Sequence, residues 1–135
     1  MPVVRALAAL AVGLALLAGC SKSRQSGGGE PAASVLQDVD SLIRAAGPGN
    51  RVPAGLADLG RRQAMFPKGY EAVKSGDVVV LWGTPLKGEG DAGKEETVVA
   101  YEKSVPNSGG YVLLSAGTVK KMSADEFRSA PKAGK

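Results

Sequence analysis

The hydrophobic positions of this chain fall into three patterns. Arg5 is the only charged side chain in residues 1–19, and Ala6–Gly19 is an uninterrupted run of Ala, Leu, Val and Gly. Residues 21–33 contain no apolar side chain larger than alanine, a composition typical of a flexible tether. From Ser34 onward, apolar residues recur with helical and then with strand-like spacing. The pattern predicts a leader, a tether and a folded domain.

The helical spacing predicts an amphipathic helix that begins at Ser34. Ser34 and Gln37 fit an S-x-x-Q capping box, in which the hydroxyl and the amide satisfy free backbone N–H groups. Gly47–Gly49 ends the helix. Its polar face carries two Asp and one Arg, which does not suit anionic lipid, so we expect its apolar stripe to dock on the domain's own sheet. The stripe consists of Val35, Leu36, Val39, Leu42, Ile43 and Ala46.

Weaker signals follow this helix. Pro53, Leu56 and Leu59 predict a short second helix that ends near residues 60–63. Residues 65–70 are expected to be irregular, and Glu71–Lys74 to form a single turn.

The C-terminal half is predicted to be a sheet. Val78–Trp82 is a continuous apolar run, which is typical of a central strand or one covered on both faces. Thr97–Glu102, Tyr111–Ser115 and Thr118–Met122 are three further strands. A loose hairpin at 105–110 joins the first two of these, and Ala116 with Gly117 makes a tight turn before the last, Gly117 supplying a positive φ.

These elements predict an α+β fold, with the N-terminal helix packed on an antiparallel sheet of about four strands and a short C-terminal helix. A second capping box, at Ser123–Glu126, starts that helix, from which Phe127 folds back onto the sheet. We expect a single domain over residues 34–130 and a disordered tail at 131–135.

Composition excludes much catalytic chemistry. The chain of 135 residues has no His and one Cys, at a formal net charge of +4. Imidazole acid–base pairs, thiolate zinc sites and internal disulfides are therefore absent. The remaining carboxylates and hydroxyls show no paired spacing, so we predict that the protein is not an enzyme and has no catalytic residue or cofactor. Its basic residues occur as isolated pairs, so nucleic acid is not an expected partner.

The leader carries the most specific motif in the chain. Ala6–Gly19 would span about 21 Å as a helix, short of a hydrocarbon core of about 30 Å, which favours an export signal over a membrane span. Residues 17–20 read LAGC and resemble the bacterial lipobox. The resemblance implies cleavage between Gly19 and Cys20 and diacylation of the Cys20 sulfur. The alternative is a secretory signal that is cut elsewhere, with Cys20 an ordinary small residue.

The head weakly resembles the globular part of type II secretion pseudopilins and of the prepilin-like proteins of Planctomycetes-type bacteria. The matching segments are Pro53–Leu59, Asp77–Gly83, Val98–Lys103 and Gly109–Val119. The resemblance implies a long helix on a small antiparallel sheet.

The departures from that family bear on assembly. The family's His falls at Pro106 and its Asp at Ala116, and the prepilin peptidase site is replaced by the lipobox. The resemblance therefore implies, at most, a pilin-like head that has been re-anchored through lipid.

Two functions remain open from sequence. One is a lipid-anchored cell-envelope lipoprotein, in the cell membrane or outer membrane with its head facing the periplasm or exterior, that binds another envelope protein. The other is a small-ligand or metal-ion binding lipoprotein that uses the 83–96 loop, with Trp82 at its mouth.

This loop contains a glycine motif. Gly88–Gly93 matches G-x-G-x-x-G but leads into a strand instead of a helix, which argues against a dinucleotide site. Candidate oxygen ligands in the loop are Glu89, Asp91, Glu95 and Glu96.

Overall fold

The computed structural model describes residues 31–133, a four-stranded antiparallel sheet with helices on both faces. The strands follow chain order, β1-β2-β3-β4, so the sheet is a meander, and the predicted α+β class is confirmed. The predicted signal, Gly19, Cys20 and most of the tether lie outside the described residues. The helices are α1 (Pro31–Ala46), α2 (Leu56–Leu59), α3 (Pro67–Ser75), α4 (Val105–Ser108) and α5 (Ala124–Ser129), with 3-10 turns at Gly60–Arg62 and Glu89–Asp91; the strands are β1 (Val78–Val80), β2 (Val98–Glu102), β3 (Gly110–Leu114) and β4 (Val119–Met122).

Helix α1 presents the predicted stripe to the interior. Leu36, Val39, Leu42 and Ile43 are fully buried, and Val35 and Ala46 pack against them. The start of the helix differs from the prediction: α1 includes Pro31, so Ser34 lies inside it and is not its N-cap. Proline is accepted in a first helical turn and alanine is the best helix former, so the P-A-A of residues 31–33 is helical although its composition also suits a tether.

Helix α3 packs closely on α1, and it is longer than the expected single turn. It begins at Pro67 and ends at Ser75, and the following Gly76 has a φ of +84°, which suits the left-handed helix terminus. A Cβ on Gly69 would stand 2.8 Å from backbone atoms of Asp38 and Val39, and the Gly69 N–H donates to Asp38 Oδ2 at 2.6 Å. Gly69 resembles a helix breaker in sequence, but this contact between helices requires it.

The guanidinium of Arg44 joins the end of α1 to two loops. Arg44 Nε donates to Asp40 Oδ1 at 2.8 Å, and the two terminal nitrogens donate to the carbonyls of Lys87 and Ser115, each at 3.1 Å. The helix is thereby held in register with the β3–β4 turn, where Gly117 has the predicted positive φ, +92°.

Strand β1 is an edge strand, so the central strand, one of the two interpretations of its apolar run, is wrong. It spans only Val78–Val80, and β2 and β3 occupy the centre. The apolar run resembles a central strand because Val78 and Val80 are buried beneath the helices, although β1 pairs with only one other strand. Trp82 lies in a turn and is half-buried against the same core.

The sheet separates two hydrophobic cores. The helix-side core lies under α1, α2 and α3 and includes Leu42, Ile43 and Leu113. The smaller α5-side core contains Val98, Val105, Val112, Leu114, Met122 and Phe127. Phe127 is 5% exposed and stacks against Tyr101 with ring centroids 4.7 Å apart, so its predicted return to the sheet is confirmed. The 105–110 connection, expected to be a loose hairpin, contains the helical turn α4.

Residues 131–133, expected to belong to a disordered tail, pair with β2, and residues 134–135 lie outside the described part of the chain. The Val98 N–H donates to the Pro131 carbonyl at 2.9 Å, and the Ala133 N–H donates to the Val98 carbonyl at 3.1 Å. These bonds form a parallel bridge between Val98 and Lys132. Because β1 stops at Val80, the side of β2 at Val98 is open to this segment.

Candidate functional site

An open cleft lies at the end of the sheet where α1 begins. Its volume is about 660 Å³, and we name it the Glu102 cleft. Strand ends of β2, β3 and β4 form it together with α4, the start of α5 and Ala32 of α1. It is lined by Ala32, Glu102, Ser108, Gly109, Gly110, Tyr111, Lys121, Met122, Ser123 and Glu126.

Gly110 brings the backbone close to the Glu102 carboxylate, and Gly109 brings it close to the Met122 carbonyl. Gly109 and Gly110 have φ values of +76° and +152°, which glycine adopts without strain. A Cβ on Gly110 would stand 2.5 Å from Glu102 Oε2. The same oxygen accepts a hydrogen bond from the Tyr111 N–H at 2.5 Å. The absence of a Cβ at Gly110 therefore lets Glu102 hold the start of β3 in the cleft.

The rim of the cleft carries charges of both signs. The Lys121 ammonium lies 5.8 Å from the centroid of the Tyr111 ring, within the range of a cation–π contact. Opposite, Glu126 forms the predicted capping box: its Oε2 accepts from the Ser123 N–H at 2.7 Å, and its own N–H donates to Ser123 Oγ.

The capping box also sets the protonation of Glu126. The hydrogen bond from the Ser123 backbone is the main cause that lowers the pKa of this carboxyl, followed by the Ser123 side chain and the charge of Lys120. Glu126 is therefore an anion at neutral pH.

A second cleft, of about 530 Å³, lies on the other side of α4. It is lined by Asp77, Glu102, Lys103, Ser104 and Asn107. Glu102 belongs to both clefts, so the α4 turn stands between two open depressions with acidic, basic and amide groups. The sequence patterns did not indicate the Glu102 cleft. The Gly109–Gly110 dipeptide directly before a predicted strand is the signal that could have indicated it.

The structure does not gather Asp91, Glu95 and Glu96 into a site. Asp91 and Glu95 are exposed. Glu96 is used internally, accepting from the Gly93 N–H at 2.8 Å and from Thr118 Oγ1 at 3.1 Å. Within residues 31–133, no cluster of three acidic or Cys side chains has the arrangement of a metal site. Glu89 begins the 3-10 turn of this loop.

A lysine occupies the inner side of the same loop. Lys87 Nζ donates to the carbonyls of Lys94 and Glu95, at 2.7 and 3.1 Å. A cation entering there would meet the ammonium group. Trp82, predicted to stand at the mouth, packs instead against the helix-side core.

Comparison of the chain with models of known protein families, with curated proteins and with solved structures found no match. Among residues 31–133, no helix combines the length and apolar character needed to cross a bilayer. The resemblances to the lipobox and to pseudopilin heads stay predictions from sequence.

Proposed function

We propose that this protein is a lipid-anchored cell-envelope lipoprotein whose head is a non-catalytic module that binds another envelope protein, in a setting of secretion or pilin-like assembly. The LAGC motif at residues 17–20 supports the anchor, because the sole Cys of the chain stands at the position that is lipidated in lipoproteins. Two acyl chains on Cys20, at about 0.8 kcal/mol for each buried CH₂, would hold the chain on a bilayer.

The Glu102 cleft is the observation that favours an interaction with protein. It is open, and it offers an aromatic ring, a lysine and two carboxylates over a glycine backbone. Such a mixture matches the polar and aromatic composition of protein interfaces. It also lies beside Ala32 at the first turn of α1, the end of the head from which the chain leads back to Cys20. A partner within the same membrane would meet this end first.

Site-specific photocrosslinking tests the interaction. The full chain would carry a photoreactive phenylalanine analogue in place of Lys121 at the rim of the cleft, or in place of Lys94 in the exposed loop as a matched control. We expect irradiation of intact envelopes to give one discrete protein adduct from position 121 and none from position 94. Equal adduct patterns from the two positions, or none at position 121, would count against the proposal.

Anchoring is tested separately by labelling with palmitate. Cys20→Ala should abolish incorporation of the labelled acyl chain and leave the leader uncut, because the motif requires the sulfur. Equal incorporation into the variant and the wild type would refute the anchor.

The alternative, a small-ligand or metal-ion binding lipoprotein built on the 83–96 loop, is disfavoured by the Lys87 ammonium inside that loop. A ligand present at 100 times its Kd would stabilise the fold by about 2.7 kcal/mol. A rise of that size in the free energy of unfolding when Ca²⁺ is added, measured by melting and absent in Glu95→Gln, would support the alternative.

A further inference from the structure

One surface loop combines an exposed apolar side chain with free cations. Residues 60–68, here the Arg–Met loop, comprise the connection from α2 and the first two residues of α3. Met65 is 62% exposed and is the one large apolar side chain so exposed within residues 31–133. Arg61, Arg62 and Lys68 are also exposed. The loop contains no acidic residue; Asp58 and Glu71 stand beyond its two ends.

The exposure of Met65 is imposed by the backbone. The Gln63 N–H donates to the Gly60 carbonyl, and the Met65 N–H donates to the Arg62 carbonyl at 3.0 Å. These two turns are held between Leu59, which is fully buried, and Phe66, which packs against the helix-side core. The loop is therefore an ordered projection, and Met65 is presented to the surroundings.

Only half of the other Lys and Arg side chains within residues 31–133 are hydrogen-bonded to the fold, and the cations of this loop belong with the rest. Arg44, Arg51, Lys87, Arg128 and Lys132 each donate hydrogen bonds to carbonyls or carboxylates of the fold. Neither Arg61, Arg62 nor Lys68 forms a salt bridge in the described part of the chain. Three unneutralised cations around an exposed thioether are complementary to anionic lipid headgroups, with the apolar side chain entering the boundary below them.

We propose that the Arg–Met loop docks the head on the anionic surface of the bilayer that carries the anchor, an inference that rests on the proposed lipidation of Cys20. Ten residues separate Cys20 from the start of α1 at Pro31, a reach of about 35 Å even when fully extended. This covalent limit keeps the loop at a high effective concentration near lipid. It favours a membrane surface over a freely diffusing acidic partner.

A fluorophore at the tip of the loop tests the docking. The full chain with Met65→Cys, labelled with an environment-sensitive dye, is reconstituted in vesicles of phosphatidylcholine with about 30% phosphatidylglycerol, or of phosphatidylcholine alone. We expect a blue-shifted, brighter emission only on the anionic vesicles. It should be lost in 1 M NaCl, where the Debye length is about 3 Å. The matched control, Lys94→Cys, should give the same emission on both.

Neutralising the three cations of the Arg–Met loop measures how much they contribute to docking. Each cation near an anionic surface changes binding about fivefold. Arg61→Gln, Arg62→Gln and Lys68→Gln combined should therefore lower the ratio of docked to undocked head about a hundredfold. Emission at position 65 that does not depend on anionic lipid or on these charges would overturn the docking. A response that requires envelope protein instead of lipid would also overturn it.

The wild-type chain separates the two proposals. Its sole thiol is Cys20, which cannot take up the dye when acylated. Labelling of the wild type would show that the anchor is wrong. An unlabelled wild type combined with a silent probe at position 65 would leave the anchor standing and overturn the docking alone.

Discussion

The two faces of the sheet are stabilised by different means. The helix-side core lies under the 16-residue α1 and contains more than twice as many buried residues as the α5-side core. Helix α5 has six residues, far fewer than a helix needs to persist by itself in water. Apolar burial is therefore the larger contribution on the first face, whereas the second face depends more on its helix termini.

Both ends of α5 are closed by side chains. Ser123 and Glu126 form the capping box at its start. At its end, Lys132 Nζ donates to the Phe127 carbonyl at 2.7 Å and lies 4.4 Å from the centroid of the Phe127 ring. A short helix on a small core thus relies on polar groups at its termini for a larger share of its stability than a long helix on a large core does. The α1 face should be sensitive to volume, and the α5 face also to caps and to pH.

The largest effect is expected on the helix-side core. Leu42→Ala should lower the free energy of unfolding by about 4 kcal/mol, because Leu42 is fully buried and the packed helices cannot close the cavity. Urea denaturation of the full chain measures it. Gln37→Ala, exposed on the same helix, should change stability by less than about 0.5 kcal/mol. Similar losses in the two variants would contradict the assignment of the buried face.

The α5-side core should respond slightly less to loss of its central ring. Phe127→Ala should cost about 3 kcal/mol, at the low end for such a change, because few neighbours surround the site. Hydrogen exchange should accelerate first in residues 124–130. Phe127→Leu, which keeps most of the apolar volume, should restore much of the loss. Uniform acceleration over both faces would show that α5 is not an independent unit.

Local patterns predicted the parts of each face that depend on neighbours in sequence. The stripe of α1 follows from helical periodicity, and the Gly117 turn and the Ser123 capping box follow from the conformations that these residues favour. Each requires only residues within a few positions. The α+β class followed from these elements taken together.

Those local patterns could not predict contacts between residues that are far apart in sequence. Gly69 is required by the backbone of α1, about thirty positions away. Val98 accepts the C-terminal segment because β1 ends early. Glu102 lines the candidate cleft because Gly110 has no Cβ. None of these leaves a periodic trace, since each depends on the three-dimensional approach of two segments.

A third variant tests the close approach within the helix-side face. Gly69→Ala should destabilise by about 2 kcal/mol, because its Cβ would meet the α1 backbone, which cannot rotate away. Gly88→Ala is the control, since no atom lies within 4 Å of a Cβ there. Thermal melting distinguishes them. An unchanged melting temperature for Gly69→Ala would mean that α1 and α3 are farther apart than described.

A smaller loss is expected at the cap of α5. Ser123→Ala removes the acceptor of the Glu126 N–H and should cost about 1 kcal/mol. Ser123→Asn, which can still cap, should recover most of it. Chemical denaturation of the three proteins checks this. If the asparagine variant were as unstable as the alanine variant, the hydroxyl would be acting through something other than the cap.

The smallest effect is the pH dependence that Glu126 contributes on the α5 face. The pKa of Glu126 is lowered in the folded state, chiefly by the Ser123 backbone hydrogen bond. The unfolded chain therefore binds the proton more readily, and stability rises with pH across that interval. The stabilisation is present above the ordinary glutamate pKa and is lost as pH falls through the lowered value.

The variant Glu126→Gln should make stability depend less on pH in denaturation curves measured between about pH 3 and 6. Glu71→Gln, exposed on α3, is the control and should keep the wild-type slope. An unchanged slope in Glu126→Gln would place the acid sensitivity elsewhere and remove this distinction between the two faces.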